Sequence, residues 1–152
     1  MRLTTYSDYA LRILIYIGAK PENELSNINE IAQAYNISKN HLMKITHELG
    51  KLGIIETIRG RGGGIKLAMP AEEINIGKIV RMTEDDFNLV PCFGPAPHPC
   101  AISPVCTLKH VLNDALLAFL HVLDQYTLAD MLAQPAGYRE LLGIDSPLTQ
   151  NK

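Results

Sequence analysis

The chain has 152 residues, 47% of them hydrophobic, and a formal net charge of −2. This length allows one domain, or one domain with an appendage, and no apolar run is long enough for a transmembrane helix. Asp8 and Arg12 interrupt the apolar residues near the start, which argues against a secretory signal, so we expect a cytoplasmic protein whose thiols stay reduced or bind metal. Residues 1–69 carry a net charge of +3 and residues 70–152 carry −5. This asymmetry is typical of a basic binding face on an otherwise acidic protein.

The first predicted element is a helix over residues 5–19, TYSDYALRILIYIGA. It has little polar surface, which predicts that it is largely buried. Thr5 is the expected N-cap, and Asp8 follows three residues later at the spacing of a capping box. A structural acid near a helix N-terminus is the simplest interpretation of Asp8, although its fixed position leaves it available for another role.

Two further helices are predicted, INEIAQAYN after Ser26 or Asn27 and KNHLMKITHELGKLG after Ser38. To the core face of the second helix we assign Leu42, Met43, Ile45, Leu49 and Leu52. Its other faces carry Lys39, Asn40, His41, Lys44 and His47. Two helices joined by a short turn, the second basic at its start, are typical of a helix-turn-helix, here residues 28–51. Taken alone, any helical hairpin with a solvated face has the same pattern.

A hairpin with a basic, glycine-rich tip comes directly after these helices. Two short strands, beginning at Ile54 and ending with IKLAM, flank RGRGGG and define a wing over about residues 54–68. Glycines such as Gly62 and Gly63 let a backbone approach a ligand closely, and Arg59 and Arg61 can reach phosphates or a narrow minor groove. A nucleotide-phosphate loop is disfavoured because the Walker lysine–hydroxyl ending is absent. The element order predicts a winged helix-turn-helix DNA-binding domain over residues 1–70.

All three cysteines lie in one proline-rich loop, PCFGPAPHPCAISPVC, which holds five of the nine prolines. Proline makes this segment stiff and non-helical, so Cys92, Cys100 and Cys106 can face a common point. Thiolates suit zinc or an iron–sulfur cluster, and either normally takes a fourth ligand. His98, His110 and more distant acids are available for that position.

Other interpretations of the cysteines remain open. They include a disulfide with a spare thiol, an inert buried set, and a redox thiol switch without metal. An enzyme could use a Cys–His pair, such as Cys100 with His98 or Cys106 with His110. No base-orienting group or substrate pocket is indicated, so we expect that the protein is not an enzyme.

The second half is predicted to contain a cluster-binding loop and a dimerisation helix within residues 71–145. Asn75 is the expected cap of a short helix, IGKIVRMTE, and the cysteine loop spans about residues 88–106. A long helix over about 105–126 is apolar on nearly all sides, so a second copy most easily covers one face. A helix–helix seam follows its 4-3-4-3-4 spacing: Leu108, Leu112, Ala115, Phe119, Val122 and Tyr126. Thr127 is the expected cap of LADML, and residues 146–152 are expected to form a flexible tail.

Together these motifs resemble the dimeric winged-helix repressors that bind iron–sulfur clusters, the superfamily that includes IscR and NsrR. Six segments carry the resemblance over about residues 1–142: MRLTTYSDYALR, ISKNHLMKI, IRGRGGGIKL, INIGKIVR, ISPVCTLK and YTLADML. The pattern is most similar to the nitric-oxide-sensitive members. The resemblance implies a mainly α fold with a β wing and a homodimer that represses transcription from operator DNA. It also implies an intact 4Fe–4S or 2Fe–2S cluster for DNA binding, with release when nitric oxide attacks the cluster.

The resemblance further implies that Cys92, Cys100 and Cys106 ligate the cluster and that Asp8 of the partner subunit is the fourth ligand. IscR-type members instead use a histidine three residues after the last cysteine, where this chain has Lys109. His110 is one residue too late, which favours Asp8. The first interval between cysteines, seven residues, is longer than the family usually shows and places His98 near the site. The alternative is a zinc- or thiol-based DNA-binding redox regulator without a cluster.

Overall fold

The computed structural model describes residues 2–22, 24–95 and 100–145. The helices are α1 (Thr5–Ala19), α2 (Ile28–Tyr35), α3 (Lys39–Lys51), α4 (Ile76–Thr83), α5 (Thr107–Asp124), α6 (Leu128–Met131) and α7 (Pro135–Leu142). The strands β1 (Ile55–Ile58) and β2 (Gly64–Leu67) form one antiparallel hairpin. The predicted mainly α winged-helix architecture is confirmed. Among the described residues, no helix is long and apolar enough to cross a membrane.

The core is built around α1, whose residues Ala10, Ile13 and Leu14 are fully buried. One side of α1 packs against α3, and other sides pack against α4, α6 and α7. Leu128 of α6 is also fully buried and belongs to the same core cluster. The N-terminal winged helix and the C-terminal helices therefore share one hydrophobic core.

The N-cap of α1 is Thr4, and Thr5 is already the first helical residue. The hydroxyl oxygen of Thr4 accepts a hydrogen bond from the Ser7 N–H at 3.2 Å. Thr4 in turn donates to Glu84 Oε1 from its backbone N–H at 2.8 Å and its hydroxyl at 3.0 Å. The prediction that Thr5 caps the helix is wrong, because a carboxylate 80 positions away fixes where the helix begins.

Helices α2 and α3 form the pair predicted over residues 28–51. Asn27 and Glu30 make a reciprocal capping box at the start of α2, as the Asn27 alternative predicted. Ser38 precedes α3 as predicted, but its side chain makes no capping hydrogen bond. Asn36 has a left-handed backbone (φ 52°) that ends α2 and turns the chain into α3.

The core face of α3 is narrower than the sequence suggested. Leu42, Ile45 and Leu49 are buried, as predicted, whereas Met43 is 49% exposed and Leu52 is 40% exposed. The buried residues of α3, Leu42, Ile45, Thr46 and Leu49, form one stripe, and residue 43 lies about 100° around the helix from residue 42, outside that stripe. The assignment of Met43 and Leu52 to the buried face is therefore wrong.

The wing is a short hairpin in which Ile55 pairs with Leu67 and Ile58 pairs with Gly64. Its tip turns through Gly60 (φ 101°) and Gly62 (φ 77°), backbone angles that residues with a side chain rarely adopt. A Cβ atom at Gly63 would collide with the carbonyl oxygen of Ile58. The shape of this tip therefore depends on its glycines.

Helix α4 and the end of α5 are tied together by side chains. Asn75 caps α4, as predicted, by accepting from the Lys78 N–H, and its amide nitrogen donates to the carbonyl oxygen of Asp124 at 2.7 Å. Arg81 pairs through both terminal nitrogens with the carboxylate of Asp124. These hydrogen bonds from Arg81 lower the pKa of Asp124 below its ordinary value.

Helix α5 is shorter at both ends than the predicted 105–126. Ser103–Val105 forms a short 3-10 turn containing Pro104, and Cys106 then occupies the N-cap position of α5 without a side-chain capping hydrogen bond. Thr127 caps α6 as predicted, in a capping box with Asp130. Helix α7 was not predicted, although Pro135 at its start and left-handed Gly143 at its end are typical boundary residues. His98 and the predicted flexible tail lie outside the described residues.

Candidate nucleic-acid interface and metal-ligand loop

The four residues proposed for the major groove lie at the start of α3. Lys39, Asn40, His41 and Lys44 are all exposed. The N-terminal end of a helix carries a partial positive charge from its backbone dipoles, which adds to the charge of the two lysines. This end of α3 is therefore suited to a negatively charged partner.

The acidic residues of this region are neutralised locally. Glu48 pairs with Lys51 at 2.8 Å, and Glu56 pairs with Lys66 at 3.3 Å across the wing strands. The hydrogen bond from Lys51 also lowers the pKa of Glu48. Within the part of the chain that the structure describes, the remaining cations of α3 and the wing, Lys39, Lys44, Arg59 and Arg61, take part in no salt bridge. The positive charge is thus concentrated at the start of α3 and the wing tip.

The wing tip presents its arginines to solvent. Arg59, Arg61 and Gly62 are exposed, and Gly63 is half-buried against the strand end. The glycine-dependent turn leaves no side chain between the two arginines, so the backbone at the tip can approach a ligand closely. The structure keeps the predicted wing residues together at one exposed turn.

The three cysteines lie in the connection between α4 and α5. Cys92 is in the turn Pro91–Phe93, Cys106 is the residue before α5, and Cys100 is the first residue of the described range 100–145. All three are half-buried free thiols. In residues 2–22, 24–95 and 100–145, no three His, Cys, Asp or Glu side chains form a group able to hold a metal ion. Three thiols in one loop are the right donors for zinc or iron, and their joint ligation stays a prediction.

Asp8 lies in the first turn of α1, where it pairs with Arg12 and remains 45% exposed. It lines an open cleft of about 510 Å³ that is otherwise formed by residues 2–5. No cysteine lines this cleft. The carboxylate is therefore accessible from outside its own chain. His110, the other described fourth-ligand candidate, is exposed on α5 beside Phe93 and Lys109.

Two residues of α1 at and beside the Asp8–Arg12 pair contact the helix-turn-helix. The guanidinium carbon of Arg12 lies 5.7 Å from the ring centroid of Tyr35 in α2. The ring of Tyr9 lies 6.4 Å from the ring of His41 in α3, centroid to centroid. Burial raises the pKa of Tyr35 to about 12. Sequence reasoning did not identify these contacts; the only available signal was the i,i+4 spacing of Asp8 and Arg12.

The outer face of α5 is apolar and uncovered. Only Leu116 and Leu120 of this helix are buried by the rest of the chain. Along the predicted seam, Leu108 is 60% exposed, Val122 is 53% exposed and Tyr126 is 45% exposed, whereas Leu112 and Phe119 are half-buried. An adjoining cleft of about 580 Å³ between α1, α4 and α5 is lined in part by Leu11, Val80 and Phe119. Several exposed apolar side chains along one helix are typical of an interface.

Comparison with known proteins agrees with this arrangement. The Rrf2 family, described as iron-dependent transcriptional regulators, matches residues 3–134. The chain is 60% identical to the HTH-type transcriptional regulator NsrR of Bacillus subtilis over 142 aligned residues. The aligned residues are 93% of this chain and 97% of that protein. It is 55% identical to the NsrR of Geobacillus kaustophilus, also over 142 residues, 93% of this chain and 97% of that protein.

Solved structures show the same fold. CymR of B. subtilis, described as the global cysteine regulator, has a TM-score of 0.70 and 25% identity, covering 88% of this chain and 97% of its own. T. potens IscR has a TM-score of 0.69 at 24% identity, covering 88% of this chain and 87% of its own. The second likeness concerns the fold alone.

Proposed function

Because the chain belongs to the Rrf2 family of transcriptional regulators, we propose that it is a cytoplasmic, nitric-oxide-responsive repressor that holds operator DNA while an iron–sulfur cluster is intact. The single observation that carries this proposal is the 60% identity to a regulator named NsrR along nearly the whole of both chains. The exposed cations of α3 and the wing support the DNA-binding half of the proposal. The three free thiols between α4 and α5 support the metal-binding half.

The DNA contact follows from the charge distribution. Lys39, Asn40, His41 and Lys44 would enter the major groove from the start of α3, while Arg59, Arg61, Gly62 and Gly63 would approach the adjacent backbone or minor groove. Neither acid of this region opposes the contact, because Glu48 and Glu56 are paired with lysines. The protein can thus bind DNA despite its net charge of −2.

The functional unit would be a homodimer joined through α5. The uncovered apolar face of this helix has the 4-3-4-3-4 spacing of a helix–helix seam, and a second copy supplies a matching surface. A two-fold dimer presents two copies of α3, so its operator should be an inverted repeat. Sedimentation showing a stable monomer at micromolar concentration would contradict this part of the proposal.

The ligand set would combine two subunits. Cys92, Cys100 and Cys106 provide three thiolates, and Asp8 of the partner subunit provides an oxygen. Iron is the reactive element that a bound cluster supplies for nitric oxide. In one chain, Asp8 is accessible and no cysteine lines the cleft beside it, which supports donation to another copy. A carboxylate is a harder and weaker partner for iron than a thiolate, so Asp8 should be the most readily lost ligand.

The response would reach the DNA through α1. An Asp8 side chain that ligates iron would give up at least one of its two contacts with Arg12, which itself lies over Tyr35 of α2. Tyr9, the next residue, contacts His41 in α3. A change at Asp8 can therefore change the relative populations of conformations that differ in the positions of α2 and α3, without unfolding either helix.

Anaerobic purification followed by a visible spectrum and an operator-binding titration tests the proposal. We expect a brown protein that binds an operator duplex, selected from a random pool, and releases it as nitric oxide alters the visible absorption. Cys92→Ala, Cys100→Ala and Cys106→Ala should each be colourless but folded, since none of these residues is in the core. A colourless wild-type protein that binds DNA would instead support a zinc- or thiol-based regulator. Unfolding of all three variants would indicate a structural metal.

A further inference from the structure

Met43 is an exposed apolar side chain in the middle of a basic surface. It is 49% exposed, although neighbouring Leu42 is buried in the core. Met43 does not belong to the core cluster, and its exposed half leaves apolar surface in water, at a cost of about 25 cal/mol per Å². A partner that covers this surface would recover that free energy.

The neighbours of Met43 define the charge of that partner. Asn40, Lys44 and His47 lie three residues before, one after and four after Met43, and all three are exposed. Lys44 takes part in no salt bridge among the described residues. The wing arginines add further positive charge. The partner is therefore anionic overall and offers an apolar group at the centre of the contact.

Duplex DNA meets both conditions in its major groove. Phosphates flank the groove, and the only apolar group on the base edges inside it is the C5-methyl of thymine. We propose that Met43 recognises a thymine methyl in each operator half-site, and so sets sequence specificity where the basic residues set affinity. This inference rests on the proposed operator binding.

Met82 provides a matched comparison within the same chain. It is 44% exposed, close to the value for Met43. It lies in α4, where Arg81 beside it is paired with Asp124 and Glu84, Asp85 and Asp86 follow, so the nearby acids outnumber the one cation outside any salt bridge of the described residues, Lys78. An acidic surrounding opposes DNA, and Met82→Ala should leave operator recognition unchanged.

The test replaces the operator thymines one at a time with deoxyuridine, which removes only the methyl group. Fluorescence anisotropy then measures the affinity of the cluster-loaded protein for each duplex. For the wild type, we expect one position per half-site where deoxyuridine weakens binding about fourfold, the value of one buried methyl group. Met43→Ala should bind the thymine and deoxyuridine duplexes equally at that position. Met43→Leu should keep most of the discrimination, and Met82→Ala should keep all of it.

Two results would overturn the inference while leaving the proposed function intact. One is operator binding by the wild type with no deoxyuridine-sensitive position. The other is sensitivity that persists undiminished in Met43→Ala. A wild-type protein that binds no operator duplex at all would overturn the proposed function, and this inference with it.

Discussion

Asp8 and Arg12 form a two-point ion pair on α1, with Arg12 Nε 3.0 Å from Asp8 Oδ1 and Arg12 Nη2 2.9 Å from Asp8 Oδ2. Both side chains are nearly half exposed, so the pair is screened by solvent. A pair of this kind contributes about 0.3–0.5 kcal/mol to stability, which makes its disruption inexpensive. Asp8 can therefore exchange Arg12 for a stronger partner without threatening the fold.

Asp8→Asn and Asp8→Cys separate a ligand from an ion-pair partner. If Asp8 ligates iron, the Asn variant should lose the cluster or hold it weakly, because the charge is gone. The Cys variant should hold it and lose it more slowly to nitric oxide, because thiolate is a better iron ligand. Anaerobic visible spectra and nitric oxide titrations measure both effects. Native spectra and responses in both variants would exclude the cross-subunit ligand and leave His98 or His110 as candidates.

Thr4→Ala and Thr5→Ala form a matched pair that tests the start of α1. Loss of the Thr4 hydroxyl removes a helix cap and a bond to Glu84, and should lower the free energy of unfolding by about 0.5–2 kcal/mol. Thr5 is exposed and its side chain has no capping role, so its change should stay within about 0.5 kcal/mol. Urea denaturation compares the two variants. Equal losses of unfolding free energy in the two variants would show that Thr4 is not the cap of α1.

Arg59→Ala and Arg61→Ala test the wing as part of the DNA interface. Each variant should weaken operator binding and reduce the slope of log affinity against log salt by about one, the value for one lost phosphate contact. Lys66→Ala is the control, because Lys66 lies on strand β2 and is already paired with Glu56. An unchanged salt slope in both arginine variants would remove the wing from the interface.

Gly77→Ala tests the packing of α4 against α5, and Gly137→Ala is its control. A Cβ atom at Gly77 would collide with the carboxylate of Asp124 and lie 2.9 Å from its backbone nitrogen. We expect a loss of up to about 2 kcal/mol in the free energy of unfolding, since overpacking costs about 1–3 kcal/mol and the better helix propensity of alanine returns about 1 kcal/mol. At Gly137, in α7, a Cβ atom meets nothing within 4 Å, so alanine should raise the melting temperature. A stable Gly77→Ala protein would show that α5 can move away from α4.

The sequence predicted the elements whose signals are local. The bounds of α1 and the caps Asn27, Asn75 and Thr127 follow from residues within one helical turn of each other, and the structure has them as predicted. The cap of α1 was misassigned because Glu84, which is distant in sequence, selects Thr4 over the adjacent Thr5. Adjacent threonines carry no local signal that distinguishes them.

The errors in the candidate site have a similar origin. Met43 was assigned to the core because it is apolar and stands next to buried Leu42, yet only the angle around α3 decides which of the two is covered. The contacts of Arg12 with Tyr35 and of Tyr9 with His41 join different helices, and their residues are ordinary for a helix surface. Motif spacing can identify candidate ligands and cations, but it does not show which side chains connect them.

The shared core around α1 limits how far the molecule can be divided. Leu128 of α6 is packed among the α1 residues, and Arg139 of α7 donates to the carbonyl oxygen of Ala19 at 2.6 Å. A fragment that ends after the wing would lose these contacts from α6 and α7. The apolar side of α1 that they cover would then be exposed to solvent. A fusion of the winged helix to another domain would therefore have to include the C-terminal helices. The winged helix and the C-terminal helices are in this sense one cooperative unit.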